Sequence, residues 1–524
     1  MSANFAIEFL VWMMIVASVV GVIAARWRIP YTVALVLGGL ALGSVSIHLP
    51  IVETLVTQKP NWLTPSVTLV VFLPALLFEG SLKLQIRHLR ENATQIFLLA
   101  TVGVLVATLV TGLAAHWALG LPVLVALVFG AITAATDPIS VLAIFKKMAA
   151  PQRLSITVEG ESLFNDGTAA VLFGILVAGV ASGNLGIWTG IQNFVFEVAG
   201  GIALGAGLGY IFSKLLQRID DPQIEITLTT VLAYSSYLAA QSMHFSGVIA
   251  TVAAGITLGN VGTQVGMSAR TRIALWSFWE YFSFVINSLV FLLIGLQVHL
   301  PNLLHAWRPV LLAFGTVTLG RVLSVYGLVP LGALVSRKIP FSWQHILVTG
   351  GIRGALSLAL ALSLPTEFPY RHQLLTMTFG VVAISIVLQG LAVGPLMRLL
   401  GIRSLQEDPY ELARVQRIAI SSARSELDTL LRNNVISMPA YERLRGDLDS
   451  RLQLVDSQVA ELYGKDATRI QPELELARMK LIAAEKNAME AAVHDGLISA
   501  QHATKMLEAA DKELDRLSSR DTPS

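Results

Sequence analysis

The sequence predicts an all-α polytopic membrane protein followed by a smaller helical domain. Three observations predict it. Of 524 residues, 54% are hydrophobic and only 14% are charged, and the mean hydropathy is +0.65; a soluble core does not need so many long apolar runs. Runs long enough to span a bilayer recur up to about residue 400 and then stop. Basic residues between those runs fall almost wholly into alternate loops.

Taken in order, the apolar runs give about 13 spans, at roughly 6–25, 31–47, 66–86, 95–118, 121–145, 156–181, 188–216, 224–241, 244–262, 272–298, 309–336, 343–364 and 372–400. The first has Glu8 as its only charge and no small-residue cleavage pattern, so it reads as a retained span rather than a signal peptide. One set of loops carries Arg26, Arg28, Lys83, Arg87, Arg90, Lys146, Lys147, Arg153, Lys214, Arg218, Arg270, Arg272, Arg337, Lys338, Arg398 and Arg403, sixteen in all. The opposite set carries three, Lys59, Arg308 and Arg371. The positive-inside rule then puts the N-terminus outside the cell (inner) membrane and everything after Leu400 in the cytoplasm.

Composition changes near Gly401. Residues 1–403 read as the transmembrane domain and 404–524 as a cytoplasmic helical domain, regulatory or dimerising. Asn433-Asn434-Val435-Ile436-Ser437 and Asp495-Gly496-Leu497-Ile498-Ser499 look alike, 62 residues apart. Asn434 and Gly496 suit a helix C-cap position and the two serines the next N-cap, which predicts two helical hairpins.

Several chemistries are excluded. The chain has no Cys, hence no thiol catalysis or zinc-thiolate site. It has no phosphate-binding loop and no His/Glu metal motif, so it is not read as an enzyme. A net charge of +2 is too small to argue for nucleic acid. No cofactor is expected.

What remains is a set of polar residues inside apolar spans. Such residues mark ion or proton paths by default. Glu159-Gly160-Glu161-Ser162-Leu163-Phe164-Asn165-Asp166-Gly167 opens the sixth span. On a helix Glu161, Ser162, Asn165 and Asp166 share roughly 140° of one face, a row of the oxygen ligands that hard cations take. In the fifth span Pro138 follows Asp137 in Thr133-Ala134-Ala135-Thr136-Asp137-Pro138. Proline removes a donor and disfavours helix before it, which predicts a broken helix, with Asp137 capping its second half and Thr136 offering oxygens. In the twelfth span Gly350-Gly351-Ile352-Arg353-Gly354-Ala355 lets the chain unwind. Arg353 there needs a carboxylate, and Glu161 is the expected partner. Two interrupted helices seven spans apart fit an inverted repeat whose breaks meet at mid-membrane. Glu79 either bonds Asn165 or snorkels to the cytoplasmic side. Arg321 either neutralises a carboxylate on another helix or braces a broken helix end. Glu159, seven residues before Asp166 on the same face, reads as an ordinary acid of a first helical turn or, less favoured, as an attractor of cations at a cytoplasmic funnel.

These motifs resemble the cation:proton antiporter family of NhaP-type sodium/proton antiporters and sodium/proton exchangers. The resemblance runs over residues 5–400 and is carried by 135–141, 159–167 and 350–355, with Ser246-Gly247-Val248-Ile249-Ala250 and Asn287-Ser288-Leu289-Val290-Phe291 also similar. It implies two crossing unwound helices, a homodimer in lipid, and an elevator-like core movement. It implies that Asp166 binds the ion and the proton, with Ser162 and the backbone at Thr136 completing a Na+ shell, Glu161 nearby and Arg353 paired with Glu161; from the residues themselves, Asn165, Asp137, Glu79 and Arg321 are expected to support the site. Asn165 before Asp166 is similar to the electroneutral branch. The expected activity is electroneutral Na+ (or Li+)/H+ antiport. The alternatives are K+/H+ antiport and, further off, a gated cation channel.

Overall fold

Backbone amides in hydrocarbon have no water to bond, so a chain with these apolar runs must satisfy them internally. In the computed structural model, all regular structure among the described residues is helical. Those residues are 3–27, 29–44, 65–183, 186–219, 221–262, 267, 269–297, 305–402, 409–433 and 435–465, with scattered positions between 481 and 506. They fall into two compact units, Met1–Ser404 and Leu405–Ser524.

The first unit runs through α1 (Ala3–Trp27), α2 (Tyr31–Ser44), α3 (Pro65–Lys83), α4 (Ile86–Glu91) and α5 (Ala93–Phe97), then a π-helical turn and α6 (Val104–Leu119). It continues with α7 (Val123–Ala134), α8 (Ile139–Lys147), α9 (Gln152–Ser182), α10 (Ile187–Leu216), α11 (Pro222–Ser242) and α12 (Gly247–Thr257). The remainder is a second π-helical stretch at Leu258–Gly262, α13 (Ala269–Gln297), α14 (Trp307–Gly332), α15 (Phe341–Thr349), α16 (Ala355–Leu362), α17 (Arg371–Ile384), a third π-helical stretch at Ser385–Gln389, and α18 (Gly390–Leu399). Each predicted span holds helix. Among the described residues, eight helical segments are long and apolar enough to cross a membrane, while Tyr31–Gly43 and Gly247–Gly262 are shorter. The protein is a multi-pass membrane protein.

The burial pattern fits a bilayer as solvent. Trp117, Leu334 and Val22 are exposed, whereas Glu161, Arg353, Arg321 and Asn165 are buried. Close helix contacts use small residues. A Cβ on Gly39 of α2 would stand 2.9 Å from the Cα of Gly295 on α13, so these two glycines let the backbones meet.

Both predicted interruptions are present. Between α7 and α8 the chain is non-helical over 135–138, because Pro138 has no N–H and Ala135 is extended (φ −61°, ψ 138°). Between α15 and α16 it is non-helical over 351–354. The two breaks touch: the Asp137 amide donates to the Ile352 carbonyl at 2.7 Å.

The second unit contains α19 (Pro409–Arg432) and α20 (Met438–Lys465). Arg417 pairs with Asp456 and Arg424 with Asp449, so the helices run antiparallel. Ala413, Ile420 and Val455 form the seam. The first predicted hairpin is thus formed, with Ser437 just before α20 and its carbonyl accepting from the Tyr441 amide. Asn434 and the whole second hairpin, around Asp495–Ser499, lie outside the described residues.

The crossing allows one specific test. A Cβ on Gly354 would come within 2.8 Å of the Asp137 carboxyl carbon. Gly354→Ala is expected to cost about 1–3 kcal/mol through overpacking, read as a lower unfolding temperature of the purified protein. An unchanged temperature contradicts the tight crossing.

Candidate ion-binding site

The site is built where α9 passes the two breaks. Helix α9 is 31 residues long and keeps helical hydrogen bonding throughout, so its side chains are held in fixed register. The breaks free backbone groups, and α9 satisfies them. Ser162 Oγ donates to the Thr136 carbonyl. Asn165 Nδ2 donates to Thr136 Oγ1 at 2.7 Å, and Asn165 Oδ1 accepts from the Thr136 amide at 3.4 Å. Thr136 Oγ1 and Ser162 Oγ are also 3.1 Å apart. Asp137 Oδ1 accepts from the Ile139 amide at 2.9 Å, so it caps the start of α8 as its position beside Pro138 predicts.

Arg353 and Arg321 divide the remaining work, and here the structure corrects the sequence reading. The carboxylate partner of Arg353 is not Glu161. Arg353 Nη1 donates to the carbonyls of Ala134 and Ala135 at 3.0 and 3.3 Å. Those carbonyls lost their helical donors at the break, and a cation at a helix C-terminus is favoured. Glu161 pairs instead with Arg321, Nη1 to Oε1 and Nη2 to Oε2, the latter at 2.9 Å. Arg321 also reaches the Leu347 carbonyl near the end of α15 at 2.9 Å. Arg321 thus both neutralises a carboxylate and braces a broken helix, the two roles between which its sequence position did not choose.

A cavity of about 110 Å³ opens against this seam. Thr136, Asp137, Ser162 and Asp166 line it, with Glu79 and Glu159. Asp166 is half-buried, yet its Oδ1 is inaccessible and has no hydrogen bond among the described residues. Asp137 is close enough to act on it electrostatically. Glu161 is not part of the wall, and both its oxygens are held by Arg321. Glu79 pairs with Lys83 one turn on, while both side-chain ends of Asn165 are engaged by Thr136. Glu159 is the eighth residue of α9 rather than a first-turn acid, and it stands on the cavity wall near Glu79 and Lys83.

Sequence reasoning passed over three wall residues. Ser283 and Asn287 of α13 and Ser357 of α16 line the cavity as well. Asn287 lay in a quoted motif, but nothing in its spacing tied it to Asp166. Ser357 reads as an ordinary serine of an apolar helix.

Membrane-length helices packed around two interrupted helices, whose breaks meet beside an unpartnered carboxylate oxygen, define a multi-pass membrane protein of the broken-helix kind. The family described as "Sodium/hydrogen exchanger, transmembrane" matches residues 14–399, and the chain belongs to it. It is 38% identical to the Na(+)/H(+) antiporter NhaG of Bacillus atrophaeus over 86% of this chain and 87% of that one. It is 39% identical to the Na(+)/H(+) antiporter NhaH of Halobacillus dabanensis over 75% of this chain and 98% of that one. The fold matches the sodium proton antiporter MjNhaP1 of Methanocaldococcus jannaschii with a TM-score of 0.62 and 24% identity, over 76% of this chain and all of that one.

The exchanged arginine partner is testable. Removing one member of a buried ion pair costs about 3–5 kcal/mol because the other charge is stranded. Arg321→Met should therefore lower the unfolding temperature sharply, and adding Glu161→Gln should restore much of the loss. A double-mutant cycle should couple Glu161 to Arg321 more strongly than to Arg353. Stronger coupling to Arg353 contradicts the assignment.

Proposed function

We propose that this protein is a sodium/proton antiporter in which Asp166 binds either one cation or one proton. The carrying observation is the Asp166 Oδ1 atom, inaccessible and without a hydrogen bond on the wall of a cavity at the crossing. A bare carboxylate is costly in a low-dielectric site and needs a counter-charge or a proton. Sodium supplies the first and a proton the second, and each excludes the other. Ser162 and Thr136 add oxygens beside Asp166, while Asn165 holds Thr136 in place. Asp137 shapes the wall from the broken helix. Glu161, closed off by Arg321, acts through that pair.

Exchange then follows from an asymmetry of cost. The site moves across the barrier only when Asp166 is neutralised, because an uncompensated charge is expensive there. One cation therefore goes one way for each proton the other way, and turnover is electroneutral. Alternating access exposes the cavity to each side in turn. The names of the relatives support sodium as the cation. The loop charges, sixteen basic residues against three, support an N-terminus outside and a cytoplasmic tail. The family resemblance supports a homodimer. A regulatory or dimerising role for residues 404–524 is supported by the change to a charged helical composition near Gly401.

Reconstituted vesicles carry the test. Acid-loaded vesicles with a pH-sensitive dye should recover fluorescence on addition of sodium or lithium, and Asp166→Asn should abolish the recovery while leaving the protein folded. Lowering the pH on the cation side should raise the apparent KM for sodium, by up to about tenfold per unit at the acid end, because the protonated carboxyl cannot take the cation. A KM independent of pH, turnover that carries current, or an active Asp166→Asn variant each contradicts the scheme.

A further inference from the structure

We propose that Ser357 supplies a further oxygen ligand to the transported cation, so that both interrupted helices close the ion shell. This rests on the reading of Asp166 as the shared carboxylate. The cavity wall carries several polar side chains, but those of the first break are bonded to one another. Ser162, Asn165 and Thr136 form a closed knot. Among the described residues, two side chains on the wall keep an inaccessible oxygen with no hydrogen bond, Asp166 through Oδ1 and Ser357 through Oγ. They come from different helices, Asp166 from α9 and Ser357 from the first turn of α16.

The unpartnered state of Ser357 has a local cause. A helical serine ordinarily donates back to the carbonyl three or four residues earlier. Ser18 does so to Met14, Ser213 to Gly209, Ser236 to Ala233 and Ser242 to Ala239. For Ser357 those positions are Gly354 and Arg353, both inside the break, where the backbone has left the helical path. The interruption that lets α16 start at the cavity also removes the acceptor its serine would use. Ser357 is fully buried, so bulk water does not replace that partner. A buried hydroxyl without a partner is unfavourable. Its oxygen lone pairs are what a hard cation takes as ligands. A cation drawn to Asp166 Oδ1 therefore has a second free oxygen on the same cavity wall, carried by the second interrupted helix. Binding would then tie α9 to α16 across the cavity, which a proton on Asp166 does not do.

The prediction is a split between binding and turnover, measured by sodium-driven proton efflux from vesicles. Ser357→Ala and Ser357→Cys should each raise the KM for sodium at least about fivefold, with the maximal rate within about twofold of the unsubstituted protein. Cysteine keeps the volume but offers soft sulfur in place of oxygen. Sodium-dependent thermal stabilisation in detergent gives the same readout for a variant that does not transport, and it should shrink in both. Unchanged KM and unchanged stabilisation by sodium overturn the assignment, as does a fall in maximal rate alone. Asp166→Asn, run in parallel, separates the two claims. If it still exchanges, the shared-carboxylate reading fails and the Ser357 assignment goes with it. If it is inactive and both Ser357 variants bind sodium normally, the Ser357 assignment alone fails.

Discussion

Two helices are broken inside hydrocarbon, and every backbone group freed there must find a partner within the protein. The arrangement of the site follows from how that requirement is met. The Asp137 amide goes to the Ile352 carbonyl, so each break helps satisfy the other. Arg353 takes the carbonyls of Ala134 and Ala135, and its own amide donates to Ser385 Oγ at 3.1 Å. Ser162 and Asn165 take the carbonyl and amide of Thr136. Asp137 takes the first amide of α8. With these groups paired, Asp166 Oδ1 is left without a hydrogen bond among the described residues.

Charge is distributed by the same logic. At the crossing Glu161, Arg321 and Arg353 are buried and Asp137 and Asp166 are half-buried, and placing these charges at random would be ruinous. Glu161 and Arg321 cancel in a bidentate pair away from the cavity. Arg353 is placed against carbonyl oxygens at a helix end, where a positive charge is favoured without a carboxylate. Asp137 accepts a backbone amide. Among the described residues Asp166 lacks such compensation at Oδ1, which is what supports the proposed mobile positive charge there.

Much of this was legible in the sequence, and the limits have physical reasons. The breaks were readable because Pro138 and the glycines at 350, 351 and 354 act locally on the backbone. The α9 seam was readable because i,i+4 spacing places Glu161, Ser162, Asn165 and Asp166 on one face. The partner of Glu161 was not. Arg321 and Arg353 are both isolated arginines in apolar runs, and choosing between them needs the distance between helices 160 residues apart in sequence. Arg353 was assigned a carboxylate because the unpaired carbonyls at Ala134 and Ala135 exist only once the break is folded. Ser357 stayed hidden for a related reason: its missing acceptor follows from where α16 begins, which the apolar pattern blurs.

The central claim is that one buried carboxylate is contested by a cation and a proton. Its most direct measurement counts protons released when sodium binds purified protein in weakly buffered detergent solution, followed with a pH indicator dye. At a pH where Asp166 is protonated, the account predicts close to one proton released per sodium bound, and none from the Asp166→Asn variant. Saturable sodium binding with no proton release would contradict it.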